Sequence, residues 1–201
     1  MRRTLTKYTT SVGIARYPHL SEPDTKFDED GVYTTQLILD ASAVEELEGL
    51  IENAKNELAD EIRSQKPNTK FKDGASPITE HDEDATKRIV KFKLKAKGGK
   101  GSETWDQKPA IFDAKAKPFT GHENIGGGSK IKVSCEIVPY HTALAGLGVS
   151  LRLKAVQVID LVEFTGKTGD ASAHGFSAEE GFDSSSVETQ TSHAADDDIP
   201  F

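Results

Sequence analysis

A mostly β fold with one long amphipathic helix and an unfolded acidic tail is predicted by three features of the chain. Runs of alternating apolar and polar residues recur along the first 160 positions. Only one segment, near 42–62, carries helical periodicity. From about Thr165 onward the composition turns to Ser, Gly, Ala, Thr and acids, too apolar-poor to offset the entropy of ordering. The expected division is therefore a folded domain over 1–164 and a disordered tail over 165–201. A body of that length can bury a real core.

Taken in order, Tyr8 to Tyr17 is rich in β-branched and aromatic residues and predicts a first strand, ended by Pro18 and followed by a loop through Asp30. Gly31 releases a second strand, Val32 to Leu39, with Tyr33, Thr35, Leu37 and Leu39 on one face. Ser42 and Glu45 form a capping box for the helix, whose stripe is Val44, Leu47, Ile51, Ala54, Leu58 and Ile62. Pro67 stops it or follows its end. A loop is expected over Lys66 to Asp84. From Arg88 to Lys97, Val90, Phe92, Leu94 and Ala96 alternate with Lys91, Lys93, Lys95 and Lys97. A mobile loop at Gly98, Gly99 and Gly101 leads to Trp105, and a short strand follows near Ala110 to Asp113. Ile131, Val133, Cys135 and Ile137 form the inner face of a further strand, closed by Pro139.

The last strand changes parity. Val149, Leu151, Leu153 and Ala155 share a face, then Val156, Val158 and Val162 take over, the mark of a bulge or of a strand bending between two sides of a barrel. Strands of this number, one helix and a bent last strand predict a five-stranded barrel of the OB type.

Charge is unevenly spread. The chain has 33 acidic and 25 basic residues, a net charge of −8. The tail holds eight acids against Lys167, so the body is close to neutral. Within the body, Lys87 to Lys132 carries twelve basic and four acidic residues. A basic stripe in a neutral body with an acidic tail predicts a polyanion site with a built-in competitor.

The four alternate lysines stand ~7 Å apart, twice the rise per residue, a spacing suited to tracking phosphates without reading bases. Sequence-tolerant binding of single strands also needs flat rings. Trp105, beside the glycine loop and among lysines, is the first candidate, followed by Tyr17, Phe112, Phe119 and Tyr140. Arg152 and Lys154, with Lys130 and Lys132, extend the charged surface.

Other chemistries find less support. The six histidines are scattered and no nucleophile elbow is present, so the chain is expected not to be an enzyme and to need no cofactor or metal. Glu80, Asp82, Glu83 and Asp84 could serve a metal-dependent nuclease, the competing function, although a single acidic loop is more commonly just solvated. Gly126, Gly127, Gly128, Ser129 and Lys130 lack the phosphate-loop frame and predict a turn. Cys135 is the only cysteine, which excludes an internal disulfide and predicts a buried strand position. No signal peptide or membrane span is evident, so a cytoplasmic protein is expected.

The residues Asp196, Asp197, Asp198, Ile199, Pro200 and Phe201 join three carboxylates to a stiff apolar tip. On a flexible tether, such a tip suits a basic-rimmed hydrophobic pocket on a partner. It is identical to the C-terminal tip by which bacterial single-stranded DNA-binding proteins recruit replication and repair enzymes. The run Ile125 to Tyr140, with the strand Val149 to Phe164, resembles the single-stranded DNA-binding proteins of lytic tailed phages. The likeness is strong across those two strands and weak over the rest of the body. It implies an OB fold, protection of single strands, stimulated annealing and contacts with replisome enzymes of host or phage. Tails of this family also dimerise the protein, so a homodimer is among the assemblies implied. The tip departs from the family's usual longer acidic tail, which suggests mimicry of the host's own protein. A third function to weigh is a protein that only titrates host enzymes and binds no DNA.

Overall fold

The computed structural model describes residues 4–101, 103–119 and 124–163. The tail 165–201, including its expected disorder and the tip Asp196 to Phe201, lies outside the described residues.

Strands β1 (Thr6–Thr9), β2 (Gly13–Asp24) and β3 (Val32–Asp40) lead into a 3-10 turn, Ala41–Ala43, and helix α1 (Glu45–Gln65). The chain continues through β4 (Ile78–Glu80), β5 (Lys87–Lys95), β6 (Lys97–Lys100), β7 (Glu103–Asp106), β8 (Ala110–Phe112), β9 (Lys130–Thr142) and β10 (Gly146–Asp160). The main sheet runs β1-β9-β2-β3-β5-β10-β8, and β9 also pairs with β10. That extra pairing closes β2, β3, β5, β10 and β9 into a ring of five, the expected OB arrangement. The ring is thinly sewn: β2 meets β9 at two register pairs, and β5 meets β10, in parallel, at two. The result is OB-like and partly open, with β1, β4 and β8 added outside the ring.

The core forms where period-2 faces converge. Leu37, Phe92, Ile131, Val133, Cys135, Ile137, Leu151 and Leu153 are almost wholly buried. α1 packs on β9 and β10, burying Leu47 and tucking Leu50, Ile51 and Ala54 against the same cluster. Its first turn carries Glu45, Glu46 and Glu48 and its last Arg63, each sign suited to the helix dipole.

β10 bears out the parity change. Leu153 pairs with Cys135, but Ala155 pairs with Ser134, so β10 carries one extra residue and its buried side switches to Val156 and Val158. Val162, expected inside with them, is exposed.

Several expectations need correction. Pro18 does not end the first strand. β2 passes through it by a bulge between Arg16 and His19, where Tyr17 has φ +49°, and a bulge tolerates a missing N–H. Thr10 to Val12 interrupt what was expected as one strand, separating β1 from β2. The capping box is absent: Val44 is the N-cap, with no side-chain bond, because the 3-10 turn drives Val44 into the core and leaves Ser42 exposed. The expected loop over 66–84 contains β4, paired to β5 through a buried Ile78 and too short to show alternation. Pro139 sits within β9, opposite Val149. β1 begins at Thr6, opposite Ile137, so among the described residues no strand pairs with β9 on that side at Pro139 and the lost N–H is tolerated.

The glycine loop before Trp105 is instead a hairpin, β6 paired to β7. Gly99 makes it possible: its φ is +94°, and any Cβ there would collide with the carbonyl oxygen of Glu103. The hairpin is tied to β5 by Gln107, whose backbone N–H donates to Ala96 O and whose side-chain amide donates to Lys95 O.

Candidate nucleic-acid interface

The alternation in β5 puts Val90, Phe92 and Leu94 inside and Lys91, Lys93 and Lys95 on the outer wall, where Ile89, of the same parity, is buried outside the core cluster. Beside them on β3 lie their register partners Gln36, Thr34 and Val32. On the other flank the parallel pairing with β10 sets Arg152 directly opposite Lys93. The outer wall thus carries basic side chains on β5 and β10, flanked on β3 by the uncharged Val32, Thr34 and Gln36.

Two clefts join along it. The first is lined by Tyr17, His19, Asp24, Thr34, Gln36, Lys91, Lys93, Tyr140 and Ser150, among others. The second includes Lys93, Lys95, Lys97, Gly98, Trp105, Gln107, Ser150 and Arg152. Lys93 and Ser150 line both, so the two clefts adjoin and together make up the candidate groove, with Tyr17 and Tyr140 in the first and Trp105 in the second.

The four lysines are not equivalent. Lys95 pairs with Asp28 at 3.1 Å and Lys97 with Asp30 at 2.9 Å, both aspartates coming from the loop 25–31. That bond from Lys95 holds the Asp28 carboxyl below the usual carboxylate range, and the bond to Asp30 raises Lys97. The expectation of four positives without acidic partners is thus corrected: a loop distant in sequence supplies two. Lys91 and Lys93 have no carboxylate partner among the described residues.

Trp105 and Tyr17 are exposed, at 58% and 62%, in keeping with rings offered outward. Arg16 stacks over Tyr17 at 5.0 Å, donates to its hydroxyl and pairs with Asp82 at 3.6 Å. The Tyr17 hydroxyl is the main reason the Arg16 guanidinium lies above its ordinary value. The ring thus stands on a bulge with left-handed backbone, a conformation that costs free energy and clusters at functional sites.

Other candidates lie apart from the groove. Phe112, on the edge strand β8, and Phe119 are half-buried. Lys130 pairs with Asp160, and Lys132 stands opposite Gln157. Lys154 shares Glu136 with Arg152, so its charge is partly answered. Conversely, His19, Thr34, Gln36 and Ser150 line the groove without having been singled out. For Thr34 and Gln36 the signal was present, since β3's alternation turns them outward beside the lysine strand.

The acidic loop is divided among separate tasks. Glu80 meets Arg88, Asp82 meets Arg16, and Asp84 accepts from the N–H and hydroxyl of Thr86. Among the described residues no group of three or more His, Cys, Asp or Glu is placed to hold a metal ion. Gly126 to Ser129 is a turn, as expected: buried Ser129 donates to Gly126 O and accepts from the N–H of Val162. Cys135 is buried, and burial pushes its thiol up to about 12, so it packs as a neutral side chain. No helix among the described residues is long and apolar enough to cross a membrane.

Fold and groove define a class: an OB-type barrel with a basic cleft across its second and third ring strands, the face on which such barrels hold oligonucleotides or oligosaccharides. The model of the family described as "Single-stranded DNA-binding protein, Bacteriophage T7" matches residues 12–161. The chain belongs to that family. It is 32% identical, over 79% of its length and 78% of the relative's, to the single-stranded DNA-binding protein of Enterobacteria phage T3. The crystal structure of the single-stranded DNA-binding protein encoded by bacteriophage T7 superposes with a TM-score of 0.70 at 25% identity, covering 89% of this chain and 98% of that one. The single-stranded DNA-binding protein of bacteriophage Enc34, solved in complex with single-stranded DNA, shares the fold at a TM-score of 0.51 and 16% identity, covering 80% and 89%.

Proposed function

We propose that this chain is a non-enzymatic, sequence-independent single-stranded DNA-binding protein acting in phage replication and recombination. The carrying observation is the groove in which Lys91 and Lys93, without a carboxylate partner among the described residues, stand between the exposed rings of Tyr17 and Trp105. Family membership and the names of the relatives support the same reading. Lysines would hold successive phosphates and the rings would stack on bases, contacts that every nucleotide offers, so that sequence would be left unread. Host or phage replication and repair enzymes would be recruited by the hexapeptide Asp196 to Phe201, carried on the tail 165–201 as a region separate from the folded domain 1–164. The same acids would occupy the basic groove when no strand is bound.

A gel shift with a poly-dT oligonucleotide in the presence of Mg²⁺ tests the reading. A retarded, uncut oligonucleotide is expected. Failure to form a complex at modest ionic strength overturns it, and cleavage would favour the nuclease. Deleting residues 196–201 is expected to raise apparent affinity at low salt several-fold and to abolish capture of partner enzymes. Unchanged behaviour on both counts would remove the docking and competition claims together.

A further inference from the structure

Gly98 and Trp105 face one another across the β6·β7 hairpin. The indole lies directly on the glycine: a Cβ built there would stand 2.7 Å from Cε2 and Nε1 and 2.9 Å from Cζ2. Any side chain at 98 would have to lift the ring. Gly98 is not in the left-handed region, unlike its neighbour Gly99, so backbone geometry does not require glycine at this position. What requires it is the space under the indole.

The arrangement recurs at the first cleft. Tyr140 faces Gly148 across β9 and β10, and a Cβ on Gly148 would lie 2.6 Å from the phenolic oxygen and 2.8 Å from Cζ. An aromatic ring laid over a cross-strand glycine shields the glycine's backbone, and that alone would be a stabilising device. Trp105 differs from a ring used only as a cover. It lines the groove beside Lys93, Lys95 and Arg152 and stays exposed although one side rests on Gly98.

We infer that Gly98 is a positioning residue for strand binding: it leaves a seat that lays Trp105 flat along the hairpin as a preformed stacking platform. A ring already held in place loses less rotamer freedom when a base arrives. This inference rests on the single-strand binding reading above and adds to it the residue that fixes the ring's pose.

Gly98→Ala in the full-length chain tests it. Trp105 is the only tryptophan, so its fluorescence reports this ring alone. Addition of oligo-dT is expected to quench the wild-type emission. In G98A the quench should shrink and affinity should fall about tenfold, within the range that one stacked base contributes. In a Trp105→Leu background the same substitution should cost nothing further, because its effect acts through the ring. Wild-type quench and affinity in G98A would overturn the inference, as would an equal loss in the W105L background. A wild-type chain that binds no oligo-dT would instead overturn the single-strand binding reading.

Discussion

Replacing Lys91 and Lys93 together by alanine is expected to weaken binding of oligo-dT by about tenfold per lysine at low salt, the size of a charge-assisted contact. The slope of log affinity against log salt should flatten by about 1.4, since each phosphate neutralised on a single strand releases ~0.7 of a counterion. Lys95 and Lys97 offer the control. They already hold Asp28 and Asp30. A phosphate that captures them must leave two carboxylates unpaired, so the K95A/K97A double variant should lose less. Titration of the three proteins at four or five salt concentrations separates the cases. A K91A/K93A slope equal to wild type would clear the outer wall of β5 of involvement, and equal losses for the two pairs would remove the distinction between Lys91 and Lys93 and the aspartate-engaged Lys95 and Lys97.

The second large effect concerns the strand that carries those lysines. Phe92 is 1% exposed, lies opposite Thr35 on β3 and Leu151 on β10, and so sits where the parallel pairing closes the ring. Truncating a buried phenylalanine to alanine costs about 3–5 kcal/mol through lost burial and the cavity left behind. For a domain with the usual stability of about 5–15 kcal/mol, that change leaves little reserve. The melting temperature of F92A should fall by roughly 10–15 °C, and its denaturant midpoint should drop in parallel. Phe112→Ala, at a half-buried edge position, should cost markedly less. A loss below about 1 kcal/mol in F92A would mean that the β5 to β10 closure contributes little to the fold.

Much of the architecture was legible because period-2 alternation is a local signal. Tyr33, Thr35, Leu37 and Leu39 are all buried as their spacing requires, and the switch from Leu153 to Val156 announced the bulge in β10 before any partner strand was known. The errors fall where a local rule was overridden by a neighbour. Pro18 and Pro139 were expected to end strands, yet a bulge and, among the described residues, an unpaired side of β9 accommodate them. Ser42 looked like a helix cap, yet burial of Val44 turned the chain the other way. Gly98 and Gly99 read as a loop because glycine has low strand propensity, and the hairpin depends on Trp105 covering one and on the left-handed turn at the other.

Read alone, the chain established which residues point outward, that positive charge gathers on β5, and that aromatic rings stand near it. Alternation and composition carry those facts within a few residues of sequence. Tertiary structure decided which lysines have a carboxylate partner among the described residues, because the acids that engage Lys95 and Lys97 come from a loop some 70 residues earlier in the chain. It also set Arg152 beside Lys93 and joined Tyr17, Tyr140 and Trp105 to one groove. Ion pairs and shared clefts depend on distances between segments that only closure of the barrel brings together.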